Sequence, residues 1–113
     1  MTILYGIANC DTVKKAQRWL TANQVTFQFH DFRKDGLSQS QLEAWVTQLG
    51  WEVLLNKRST SWRQLDETLK NNLDEQSAIR TMLETPTLIK RPVMEHNGQL
   101  AVGFKEADYA ARF

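Results

Sequence analysis

The sequence predicts an α/β protein: a four-stranded mixed sheet with helices on its faces and a helical segment inserted between its two halves. Three patterns carry that expectation. They are a strand leading straight into an amphipathic helix, an alternating strand after it, and a late hairpin followed by a short helix. In order these read β-α-β, a helical middle, then β-β-α, which predicts a mixed sheet. The outline is thioredoxin-like.

Residues Thr2 to Ile7 form a short, mostly apolar run rich in strand formers, ended by Ala8-Asn9, which suits a buried strand. From Asp11 to about Ala22, Val13, Ala16 and Leu20 recur at helical spacing, with Lys14, Lys15, Gln17 and Arg18 on the other side. Val25, Phe27 and Phe29 then alternate with Thr26, Gln28 and His30, predicting a second strand with one buried face. Ser38 opens a Ser-x-x-Gln pattern with Gln41, a helix-start signature, ahead of Leu42, Trp45, Val46 and Leu49; Gly50 ends that helix. Residues 51 to 72 carry an apolar patch at Val53 to Leu55 and then a polar run, predicting short helices and loops. Asp74 to Glu84 places Ile79, Met82 and Leu83 on one side and stops before Pro86, a further amphipathic helix. Leu88 to Met94 and Leu100 to Phe104 read as strands joined through Asn97-Gly98, the strongest short hairpin signal in the chain. Leu100, Val102 and Phe104 share one face of the last strand, and Glu106 to Arg112 reads as a short terminal helix.

A length of 113 residues is a common size for one domain. With no repeat, low-complexity tract or Pro/Gly/Ser linker, residues 1–113 read as a single domain with a helical insertion at about 38–86. Lys plus Arg total 14 against 13 Asp plus Glu, so a net charge of +1 gives no general reason to expect a nucleic acid or an anionic membrane as partner. No stretch approaches the roughly 20 apolar residues that a membrane span needs, and a cytoplasmic location is the expectation. One cysteine cannot form an internal disulfide, which agrees with a reducing compartment and leaves this thiol as the candidate for redox work. Cys10 and the two histidines lack ligand-like spacing, so no metal is expected.

Cys10 falls at the turn from the first strand to the first helix. There the unpaired N–H groups and positive dipole end of a helix favour thiolate over thiol, and Lys14 and Lys15 would add to this. Thr12 offers a hydrogen bond to the thiolate, while the Asp11 carboxylate works against it unless turned away. The bland alternative is that Cys10 is a small buried apolar residue, as most lone intracellular cysteines are. Val13 stands where a Cys-x-x-Cys protein has its second cysteine, so a resolving thiol must come from another molecule, and glutathione is the obvious small cytosolic donor. A second constellation is Lys90-Arg91-Pro92, where Arg91 can grip a carboxylate or oxyanion with two N–H groups and Pro92 can take the cis form. A third is Asn56-Lys57-Arg58; a solvated basic turn is the ordinary explanation of both.

Gly-Ile-Ala-Asn-Cys10-Asp-Thr-Val-Lys-Lys-Ala, Leu54-Leu55-Asn56-Lys57-Arg58 and Leu88-Ile89-Lys90-Arg91-Pro92-Val93, in this order and spacing, resemble the arsenate reductase-like family. Within it the Asn-Cys-Asp-Thr-Val-Lys-Lys-Ala and Asn-Lys-Arg-x-Thr-x-Trp segments are similar to the YffB-like branch of thiol reductases. The resemblance implies a nucleophilic cysteine at Cys10 and an arginine before a cis-proline at Arg91 and Pro92; Asn9 and Thr12 beside the cysteine are candidate substrate- or glutathione-binding residues. With the second thiol supplied from outside, the leading expectation is a glutathione-dependent thiol reductase. Arg91 would orient a glutathione carboxylate, the backbone beside Pro92 would pair with its peptide, and Lys57 or Arg58 would anchor its other end. Two arginines that hold the oxyanion in glutaredoxin-linked arsenate reductases correspond to Asn56 and Gly103, with Lys57, Arg58 and Lys105 as neighbouring cations. Arsenate reduction, with glutaredoxin as partner, is therefore the second expectation. A non-catalytic, protein-binding regulator of the Spx kind is the third, and that branch typically carries the Cys-x-x-Cys this chain lacks.

Overall fold

The computed structural model describes residues 1–113. Its strands are β1 (Thr2–Gly6), β2 (Gln28–Asp31), β3 (Val93–His96) and β4 (Gln99–Val102). Its helices are α1 (Asp11–Ala22), α2 (Gln39–Leu49), α3 (Trp51–Leu54), α4 (Thr60–Arg63), α5 (Glu67–Asn71), α6 (Glu75–Glu84) and α7 (Glu106–Arg112), with a 3₁₀ turn at Pro86–Leu88. The sheet order is β2-β1-β3-β4; β1 runs parallel to β2 and antiparallel to β3, and β3 is antiparallel to β4. This is the mixed four-stranded, thioredoxin-like sheet that the order of elements predicts.

Two compact units make up the chain: Met1–Gly36 with Arg91–Phe113, and Leu37–Lys90. The first holds the sheet, α1 and α7. Leu4 of β1, Met94 of β3 and Ala101 of β4 present apolar side chains on one sheet face, where Val13, Ala16 and Leu20 of α1 and Tyr109 of α7 complete a buried cluster. Each such large aliphatic side chain contributes about 1.5–3 kcal/mol by leaving water. The helical spacing of Val13, Ala16 and Leu20 thus aims one stripe of α1 at the sheet.

The second unit, Leu37–Lys90, is built of helices and short turns. Its α2 is capped by Ser38, whose hydroxyl accepts from the Gln41 N–H at 3.1 Å. Asp74 and Ser77 cap α6 reciprocally. Leu42, Trp45 and Val46 of α2, Leu54 of α3, and Ala78 and Met82 of α6 are buried.

Several strand boundaries differ from the sequence expectation. The second strand starts at Gln28 rather than Val25, because the Val25 N–H is spent on the Leu20 carbonyl at the end of α1 instead of on a neighbouring strand. Leu88 to Met94 is not one strand. The Leu88 and Ile89 N–H groups close a 3₁₀ turn, Ile89 bridges to Leu55, and the ladder with β1 begins only at Val93, after Pro92. The last strand stops at Val102, and the Asn97-Gly98 hairpin has both residues at positive φ, as its turn type requires. No helix is long and apolar enough to cross a membrane.

Candidate active site

Gly6 ends β1, and the next four residues turn the chain into α1. Cys10 is the residue that caps the helix: its backbone is extended (φ −87, ψ 126), its carbonyl accepts the first helical bond from the Lys14 N–H at 3.0 Å, and its own N–H returns to the Ile7 carbonyl at 3.1 Å. A serine, threonine or aspartate at such a position would accept from the second and third N–H groups of the helix. Here a sulfur stands in their place. It makes no cap bond of ordinary geometry, yet the Val13 and Thr12 N–H groups both act on it.

Arg91, the first residue of the chain's return to the sheet unit, supplies the cation. Partial burial pushes the Cys10 thiol up, but the Val13 N–H, the Arg91 hydrogen bond and charge, and the Thr12 N–H outweigh it, so the thiol is held below its ordinary value. Lys14 and Lys15, expected to contribute, are exposed on α1, and the cation set against the sulfur is Arg91. Thr12 acts through its main chain. Asn9 is exposed in the turn immediately before Cys10. The Arg91–Pro92 bond is cis, as the resemblance implies, and the Pro92 carbonyl accepts from the Gly103 N–H at 2.8 Å.

A partly exposed cysteine whose thiolate form is favoured by helix N–H groups and a guanidinium has the chemistry of a nucleophile beside a cation that can hold an anion. Residues 5–112 match the ArsC family. The chain belongs to that family. It is 50% identical to an uncharacterized protein of Haemophilus influenzae over all of this chain and 99% of that one. It is 30% identical to the global transcriptional regulator Spx of Lactiplantibacillus plantarum, over all of this chain and 86% of the regulator. Among solved structures, the YFFB protein superposes with a TM-score of 0.94 at 46% identity, covering 98% of this chain and 97% of its own. An arsenate reductase-related protein of Brucella melitensis gives 0.82 at 44% identity, covering 97% and 92%.

Against the ArsC family pattern, the remaining candidates fall in different places. Lys57 and Arg58 belong to the insertion unit, both exposed, and the Lys57 ammonium lies 5.7 Å from the centre of the Trp62 ring. Asn56 is a turn residue there: its side-chain oxygen accepts from the Arg58 N–H at 3.1 Å, and its carbonyl from the Ser59 N–H and hydroxyl. Gly103 lies at φ 79, and Lys105 is an exposed cap of α7. Sequence reasoning missed Val13 as a donor to the sulfur, although it is the third helical residue after a capping cysteine. It also missed Asp31, whose contact with the Cys10 turn spans 23 residues and leaves no local signal.

Proposed function

We propose that this protein is a glutathione-dependent thiol reductase built on the arsenate reductase-like fold. The observation that carries the reading is the Cys10 sulfur at the N-terminus of α1, with Arg91 bonded to it. Cys10 thiolate attacks the sulfur of a mixed disulfide between glutathione and a small thiol, forming a Cys10–glutathione disulfide and releasing the other thiol as thiolate. A second glutathione thiolate then attacks the glutathione sulfur of that adduct, forming oxidised glutathione and returning the Cys10 electron pair. Arg91 has five N–H donors in a planar fork, enough to serve the sulfur and to hold a glutathione carboxylate as well. Pro92 and the backbone beside it lie next to that arginine, where a peptide ligand would lie. Lys57 and Arg58 are further cations of the chain, but the proposal rests on Cys10, Arg91 and Pro92.

Arsenate reduction is the alternative that family membership favours. It asks for several cations converging on one small oxyanion, and Asn56 and Gly103 carry no charge. The test compares turnover of a small glutathione mixed disulfide with turnover of arsenate, each with glutathione and with glutaredoxin supplied, in the wild type and Cys10→Ser. Cys10-dependent disulfide turnover with negligible arsenate turnover is expected. Efficient Cys10-dependent arsenate turnover without disulfide reduction would replace the proposal. Activity on neither would favour a protein-binding role like that of the Spx relatives.

A further inference from the structure

Asp31 is the one buried carboxylate of the molecule, 5% exposed at the end of β2. Three main-chain N–H groups surround it. One carboxylate oxygen accepts from Arg33 at 2.7 Å and Lys34 at 3.3 Å, within its own turn, and the other accepts from Ala8 at 3.1 Å. The Asp31 N–H donates to the Asp35 carboxylate at 3.0 Å, and the Asp35 N–H returns to the Asp31 carbonyl at 2.8 Å, so the whole turn is locked. Ala8 stands two residues before Cys10. Two main-chain bonds also run at this connection, Phe32 N–H to the Gly6 carbonyl at 2.8 Å and Cys10 N–H to the Ile7 carbonyl at 3.1 Å.

An amide would close the 31–35 turn nearly as well as a carboxylate, since one oxygen serves Arg33 and Lys34. What an amide cannot do is accept on both sides: its NH₂ would face the N–H of Ala8 donor to donor. Burying a carboxylate is costly unless its oxygens are filled, and the Ala8 contact is the part of this arrangement that the turn itself does not need. We propose that Asp31 is a positioning residue for Cys10, its carboxylate holding the Ala8 N–H and so fixing the turn that sets the sulfur against the Val13 and Thr12 N–H groups and Arg91. This rests on Cys10 as the nucleophile but needs no particular substrate. Burial pushes the Asp31 carboxyl up, but the Arg33, Ala8 and Lys34 N–H groups and the Lys34 charge outweigh it and hold it below the usual carboxylate range, so it is ionised at neutral pH.

The test removes the contact from each side. Because Cys10 is the sole cysteine, residues 1–9 can be ligated to 10–113 at that position, with the Ala8 residue replaced by lactic acid so that only its N–H is lost. The second chain is Asp31→Asn. The thiolate titration of Cys10 and its alkylation rate against pH are measured in both, with melting curves to establish folding. In each the midpoint should rise, and alkylation below the wild-type midpoint should slow about three- to ten-fold, the change for a rise of about half to one pH unit. Charge alone predicts the reverse for Asp31→Asn, since removing a nearby anion favours thiolate. A midpoint that stays or falls in the folded ester chain, or that falls in Asp31→Asn, would overturn the proposal. Failure of glutathione turnover with these midpoints raised would instead count against the reductase reading alone.

Discussion

At the scale of single residues, two side chains of the candidate site were legible in the sequence and one detail was not. Cys10 stood out because a cysteine directly before a helical pattern sits where caps belong, and Arg91 because it precedes a proline between apolar runs. That the two meet, 81 positions apart, was not legible, because no local pattern encodes a contact across the fold. The capping geometry carries a prediction. Serine is a favoured helix cap and cysteine is not, so Cys10→Ser should abolish turnover while leaving stability unchanged or raising it by up to about 1 kcal/mol, as read by chemical denaturation. Arg91→Ala should weaken glutathione use by about one to two orders of magnitude, matching the roughly 1.5–3 kcal/mol of a charge-assisted hydrogen bond. Arg91→Lys should recover only part of this in KM and kcat measurements, because an ammonium lacks the two-pronged fork.

The elements that position the site depend on close approach as much as on periodicity. A Cβ at Gly6 would lie 2.7 Å from Val13 Cγ2, and Val13 is fully buried against the sheet, so α1 can pack this near β1 only with glycine there. Gly6→Ala should therefore cost about 1–3 kcal/mol in denaturation and also raise the Cys10 titration midpoint, since the displaced residue carries an N–H that acts on the sulfur. Gly103 is limited by backbone instead. Nothing lies within 4 Å of a Cβ there, but φ is 79, so Gly103→Ala should cost about 1–2 kcal/mol and Gly103→Asn less. Periodicity gave α1, α2 and α6 nearly to the residue, because each buries one continuous stripe. It failed at Leu88 to Met94, where an unbroken apolar run conceals a 3₁₀ turn, a single bridge and a new strand. Burial on all sides looks the same in sequence whichever backbone produces it.

For the molecule as a whole, the fold class was legible because strand, helix and hairpin signals came in an order compatible with few topologies. The division into units was less so: the chain leaves the sheet unit after Gly36 and returns at Arg91, and neither point carries a linker-like composition. Asp31 gives the molecule a pH dependence. Its folded-state carboxyl lies below its unfolded value, so its contribution to stability is complete above the ordinary carboxylate pKa and is lost as pH falls through the folded value. Denaturation midpoints from neutral pH to about pH 3 should accordingly fall less steeply in Asp31→Asn than in the wild type. Whether helix N–H groups and Arg91 hold the Cys10 thiol below its ordinary value is decided by ultraviolet titration of the thiolate in the wild type and Arg91→Ala. With one cysteine in the chain the signal belongs to Cys10 alone. The wild-type midpoint should lie below that of an ordinary cysteine thiol and rise when Arg91 is removed; a wild-type midpoint at or above the ordinary value would rule out this arrangement as the source of reactivity.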